Sequence, residues 1–155
     1  MAALPYPRPS SSAATAVMRA NRSRDTRPEV RLRSALHRRG LRFRKSYLVQ
    51  AGSARVHVDV AFPSLKIAVF VDGCFWHGCP SHGVRPSVNQ AYWPVKLQRN
   101  VERDVRVNDG LISAGWTVVR VWEHEEPACA ADRVAAIVGA QRSTKGTCPA
   151  ICRPP

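Results

Sequence analysis

Between residues 55 and 62 the chain alternates strictly, with Val56, Val58 and Val60 facing one way and Arg55, His57 and Asp59 the other. A period of two is that of a half-buried strand. Pro63 and Ser64 then turn the chain. Residues 66–72 are nearly all apolar, as a strand covered on both faces should be, and Asp72 breaks the pattern at its end. Residues 41–49 and 116–122 are two further predicted strands. Helical spacing appears in three places. Thr26 is a predicted N-cap, Pro28 suits the first turn, and Glu29 stands three residues after Thr26 as in a capping box. Val30, Leu32, Ala35 and Leu36 give that helix its apolar face, and Gly40 stops it. A second helix is predicted over about 91–113, with Leu97, Val101, Val105 and Leu111 or Ile112 on its buried side and Gly115 as its stop. Pro127 opens a third through about Ala140, carrying Val134, Ile137 and Val138. Residues 73–90 follow no period.

The order helix, three strands, helix, strand, helix predicts an α/β sandwich, one mixed sheet with helices on its faces. The 155 residues suffice for one domain with one core. Residues 1–17, rich in Ala, Pro and Ser, and residues 143–155 are predicted to be disordered tails around a domain at 18–142. Met1 and Met18 are both available as starts.

Charge changes the picture more than composition does. The formal net charge is +13, and the first 45 residues hold 12 Lys/Arg against two acids, Asp25 and Glu29. A surplus so concentrated and so rich in arginine points to a polyanion, nucleic acid before an acidic membrane. No apolar run approaches the ~20 residues that span a bilayer, and the N-terminus lacks the apolar core of a secretory signal. Five cysteines, an odd number without framework spacing, favour a reducing cytoplasm and metal binding over disulfides.

The chemistry-bearing residues crowd into residues 66–82, KIAVFVDGCFWHGCPSH. Cys74, Cys79 and His82 form C-x4-C-x2-H, and His124, just past strand 116–122, is the best candidate for a fourth ligand. Two thiolates and two imidazoles suit a closed tetrahedral Zn2+ site; the competing reading is two buried free cysteines. Asp59, Asp72 and Glu29 are carboxylates that a basic nucleic-acid enzyme would use to hold Mg2+, which prefers oxygen ligands and phosphate company. Singly, each has a plainer role: Glu29 as a capping acid, Asp72 as a turn cap, Asp59 as an arginine's partner. His77 is either the proton-transfer group or a further zinc ligand. The adjacent aromatics Phe75 and Trp76, with Tyr92 and Trp93, fit either a wedge between base steps or packing around the loop.

Taken together, RDTRPE at 24–29, HVDVAF at 57–62, VFVDGCFWHGC at 69–79, YWPVKLQRNVERD at 92–104 and GWTVVRVWE at 115–123 resemble the very-short-patch-repair DNA mismatch endonucleases, in that family's order and spacing across about residues 18–140. The resemblance implies a restriction-endonuclease-like three-layer sandwich with a structural zinc loop. It implies a Mg2+-dependent nick of one strand, 5′ to the thymine of a T:G mismatch left by deamination of 5-methylcytosine. Carried over by position, Asp59 and the backbone carbonyl of Val71 would bind magnesium, His77 would be the general acid/base, and Glu29 would be the helix acid of the site. Phe75, Trp76 and Trp93 would form the wedge. Cys74, Cys79, His82 and His124 would hold zinc. The chain departs from the best-known members at Asp72, where they carry a second catalytic histidine, and at His124, where a cysteine is more usual. Nor does strand 66–72 contain the acid-x-lysine of the wider nuclease superfamily. The expectation is a cytoplasmic monomer acting on double-stranded DNA. The alternatives are a non-catalytic zinc-bearing DNA-binding module and a restriction-type nuclease of the same fold.

Overall fold

The computed structural model describes residues 24–52, 54–83 and 89–146, together with Ser12 and Ser87. Among them the elements run α1 (Arg27–Arg38), β1 (Arg44–Ala51), β2 (Ala54–Phe62), a 3-10 turn at Pro63–Leu65, β3 (Ile67–Asp72), α2 (Trp93–Ser113), β4 (Thr117–Trp122) and α3 (Pro127–Gly146). The expected tail at 1–17 lies, apart from Ser12, outside the described residues. The expected tail at 143–155 begins inside α3, which runs on to Gly146; Gln141 docks this extra turn by donating to the Thr117 hydroxyl at 2.9 Å.

The sheet is mixed and ordered β1-β2-β3-β4. β1, β2 and β3 pair antiparallel, and β4 joins β3 in parallel, from Ile67 beside Thr117 to Asp72 beside Trp122. On one face, Leu32 and Leu36 of α1 and Val134 and Val138 of α3 bury Val60, Phe62, Ile67, Val69, Val119 and Val121. On the other, Leu111 and Val107 of α2 cover Val58, Ala61, Ala68 and Phe70. α/β layering thus follows from the two apolar faces of the sheet.

Two expectations are corrected. Strict alternation in β2 fails at Asp59, since Val58 and Val60 join opposite cores. The β1–β2 ladder pairs Lys45 with Val60 and resumes at Tyr47 with Val58, skipping Ser46 and Asp59. Ser46 has φ 46°, a left-handed conformation that costs about 1–3 kcal/mol for a residue with a Cβ. The kink lies opposite Asp59. In α2, the buried side is not the valine stripe: Val105 and Ile112 are 52% and 59% exposed, while Leu111 is fully buried. The face turned inward carries Asn100, Asp104, Val107 and Leu111, which recur at helical spacing. Its polar members meet partners on the loop, which the valines could not supply.

Candidate active site and metal centre

A cleft of about 940 Å³ opens where the sheet ends, between the N-terminus of α1, the outer half of β2, the end of β3, Trp76 and His77 of the following loop, and the inner face of α2. Antiparallel pairing of β2 with β3 spans Val60–Phe62. Beyond it the Val71 amide donates to the Asp59 carboxylate at 2.8 Å. Burial pushes Asp59 up to about 6; the Val71 amide opposes that, and the nearby charges of Glu29 and Asp72 add to it. Asp59 is therefore held by an amide and surrounded by acids, an environment that a hard cation would relieve.

The other two expected acids reach the same cleft with other partners. Glu29 caps α1: its oxygens accept from the Asp25 amide at 3.0 Å and the Thr26 hydroxyl at 2.8 Å, with Arg33 at 3.4 Å. Asp72, at 3% exposure, accepts from Arg120 Nη1 through both oxygens, at 2.7 and 2.8 Å. Neither carboxylate is free in the way that Asp59 is.

His77 sits on the turn that follows β3, its amide donating to the Gly73 carbonyl at 3.1 Å. Its Nδ1 is 2.5 Å from Asp104 Oδ2. A carboxylate there accepts the Nδ1 proton, which leaves Nε2 as the basic nitrogen. Burial draws Asp104 upward, but the His77 bond and the charges of Arg120 and Arg103 outweigh it and hold the carboxyl below the ordinary range. Asp104 and Arg120 escaped the sequence reading as site residues. Two signals could have found them: Asn100, Asp104 and Asn108 recur every four residues as a polar row on α2, and Arg120 interrupts the apolar strand WTVVRVW.

The loop aromatics pack on one another. Phe75 and Trp76 meet edge-on at 4.9 Å, Phe75 and Trp93 at 5.3 Å, Trp76 and Trp93 at 5.9 Å, and Tyr92 leans on Trp93 at 5.3 Å. All four are partly buried. The Trp76 carbonyl is held by Asn100 Nδ2 at 3.1 Å, so α2 fixes the peptide joining this cluster to His77. Trp116 packs against the α2-side core beside Tyr47, and Trp122 stacks on His124.

Cys74, Cys79, His82 and His124 converge. Among the described residues they form one group whose ligand atoms all lie within 4.8 Å of one another, and which could hold a metal ion. Cys74 Sγ is 3.0 Å from His124 Nδ1, and Cys79 Sγ is 3.9 Å from His82 Nδ1 and 3.8 Å from His124 Nδ1. Burial, with the neighbouring Cys79 thiol, pushes Cys74 up to about 11; a bound cation would favour the thiolate instead. The loop backbone is shaped to close the group. The Gly83 amide donates to the Cys79 carbonyl at 2.8 Å, and a Cβ on Gly83 would stand 2.6 Å from that oxygen. Glu123 accepts the Cys74 amide at 2.6 Å, tying the loop to the end of β4. No helix among the described residues is long and apolar enough to cross a membrane.

Residues 10–82 match the family described as DNA mismatch endonuclease Vsr. The chain is 52% identical over 134 residues to the Type II nicking enzyme V.NaeI of Lentzea aerocolonigenes, spanning 86% of this chain and 79% of that protein. It is 41% identical over 113 residues to the Type II nicking enzyme V.XorIIP of Xanthomonas oryzae pv. oryzae, spanning 70% and 78%. To the DNA mismatch endonuclease Vsr of Escherichia coli it is 38% identical over 107 residues, spanning 68% and 66%.

Proposed function

The chain belongs to the Vsr family of DNA endonucleases, and from that premise we propose that it nicks one strand of duplex DNA 5′ to the thymine of a T:G mismatch, using Mg2+. The observation that carries this is a juxtaposition. Trp76, in the aromatic cluster, and His77, in the cleft with Asp59, are consecutive residues on one turn. An aromatic wedge that opens a mispaired step would therefore stand one residue from the proton-transfer group.

Asp59, with the Val71 carbonyl, would hold the magnesium. When bound, the ion supplies Lewis-acid stabilisation of the charge that develops on the phosphate. His77 Nε2 takes a proton from the attacking water as its oxygen bonds to phosphorus and the bond from phosphorus to the leaving sugar oxygen breaks, the departing oxygen taking its proton from solvent. Asp104 keeps the ring in the required tautomer. Glu29 braces α1 at the cleft wall. Asp72 stands beside Asp59 and His77 and takes no proton in this scheme. Phe75, Trp76 and Trp93 form the wedge. The basic surface carries the sequence-independent affinity for phosphates.

The four-residue Cys/His group fits Zn2+ in a closed structural site: two sulfurs and two nitrogens within tetrahedral reach, each a preferred zinc donor. It would shape the loop rather than cut. The fold class that this arrangement supports is the restriction-endonuclease-like sandwich, acting as a monomer in the cytoplasm.

The test is a nicking assay on a duplex with one T:G pair and on its fully paired counterpart, in Mg2+ and in Mg2+-free buffer, for the wild type and Asp59→Ala. Expected is a single nick, only in the mismatched duplex, only with Mg2+, and lost in Asp59→Ala. A second reading, nicking indifferent to the mispair, accords with relatives named Type II nicking enzymes; equal cutting of both duplexes selects it.

A further inference from the structure

Arg120 stands on β4 in register with Phe70 of β3, and its guanidinium lies over the Phe70 ring at 5.0 Å. Nη1 grips both oxygens of Asp72 at 2.7 and 2.8 Å, and Nε donates to Asn108 Oδ1 at 3.2 Å. Nη2 is 3.5 Å from Asp104 Oδ1. His77 Nδ1 faces both of these acids, at 2.5 Å from Asp104 and 3.6 Å from Asp72. Two strands, a helix and a loop thus meet at one cation.

We propose that Arg120 is the positioning residue of the cleft: by tying Asp72 to Asp104 it fixes the ring of His77, and it commits Asp72 to this clamp rather than to a metal. The inference rests on the reading of His77 as the proton-transfer group. Two carboxylates aimed at one imidazole nitrogen repel each other, and buried Asp72 cannot turn to water for relief. A planar guanidinium offers donors in a fork and can hold both acids at a set angle. A lysine ammonium is a point charge and would follow one of them. Arg120 is also a poor candidate for a DNA contact, because its nitrogens already face Asp72, Asn108 and Asp104 and its plane covers Phe70.

The test compares wild type, Arg120→Met, Arg120→Lys and the neutral pair Asp72→Asn with Arg120→Gln. This last variant removes both partners of the ion pair together, so that neither charge is left unpaired by loss of the other. Single-turnover nicking is measured with DNA and Mg2+ titrations, and folding by thermal unfolding. Expected is a rate loss of about 10–100-fold in Arg120→Met, no rescue by lysine, and a neutral pair that melts cooperatively but stays slow. DNA affinity and half-saturating Mg2+ should stay within about twofold of wild type, as for a group acting only on the chemical step. Imidazole nitrogen NMR of the full chain, with His77 assigned through His77→Gln, should show a protected Nδ1–H in the wild type that is lost in Arg120→Met. An unchanged rate overturns the proposal, as does full rescue by lysine, a loss confined to DNA affinity, or a shifted Mg2+ requirement. If the wild type nicks no duplex, the functional reading fails instead, and the NMR result alone decides the role of Arg120.

Discussion

The Val71 amide donates to the Asp59 carboxylate where β2 and β3 part, across 2.8 Å. One hydrogen bond there joins the kink at Ser46 to the end of β3 and aims a carboxylate into the cleft. Burial and the nearby acids push Asp59 up to about 6, against the opposing effect of this bond.

A carboxyl raised in the folded state keeps its proton after the unfolded chain has lost it. Ionised Asp59 therefore weighs on the fold progressively as pH rises from the unfolded value, roughly 4, to about 6, and by a constant amount above that. In magnesium-free buffer, Asp59→Asn should gain thermal stability over the wild type across that window and keep the advantage at higher pH. A difference in Tm that does not vary between pH 4 and 8 contradicts this. In the wild type, the Mg2+ needed for half-maximal nicking should climb as pH falls below about 6, because the proton and the cation compete for one carboxylate.

For the wedge, Trp76→Ala should keep its salt-dependent affinity for duplex DNA while losing preference for the T:G duplex by about 5–100-fold, the scale of one base–aromatic stacking contact. Asn100→Ala, which frees the Trp76 carbonyl, should show a smaller loss of the same kind. Competition binding at several salt concentrations separates the two quantities, and an unchanged preference in Trp76→Ala removes the wedge role.

Elemental analysis should find one zinc per chain. Gly83→Ala brings a methyl against the Cys79 carbonyl, 2.6 Å away before relaxation, so the loop must open. The variant should release zinc to a chelator faster than the wild type and melt at a lower temperature. Chelation of the wild type should abolish nicking through loss of the loop. Absence of zinc would return Cys74 and Cys79 to the role of buried thiols.

Helix α2 offers a test of packing. Val105 is half exposed and Leu111 is fully buried. Val105→Gln should change stability by less than about 0.5 kcal/mol, as surface changes do. Leu111→Ala should cost about 2–5 kcal/mol for lost contacts and a cavity. Urea unfolding of both variants checks the assignment, and the reverse order would restore the valine stripe to the core.

Much of this molecule is written in local pattern. The capping box at Thr26 and Glu29, the apolar run of β3 and the cysteine and histidine spacing of the loop each state their element, because hydrogen bonding and burial within a short segment depend on neighbours in the chain. The family motifs mark the same loop. Local pattern failed where packing had to choose. Helix α2 carries an apolar row through Val101 and Val105 and a polar row through Asn100, Asp104 and Asn108; periodicity alone prefers the first. The folded chain turns the second inward, since the Trp76 carbonyl, His77 and Arg120 supply partners that no segment of the helix contains. Asp72 shows the same limit. Its sequence position suggested a cap or a metal ligand, and its carboxylate went to an arginine 48 residues away. Sequence marked the candidate residues of the loop and of the Asp59 strand, and which strand, turn and helix carry them. Tertiary structure decided which charges neutralise one another, because a buried ion pair forms between the groups that packing brings within reach and not between those that lie close along the chain.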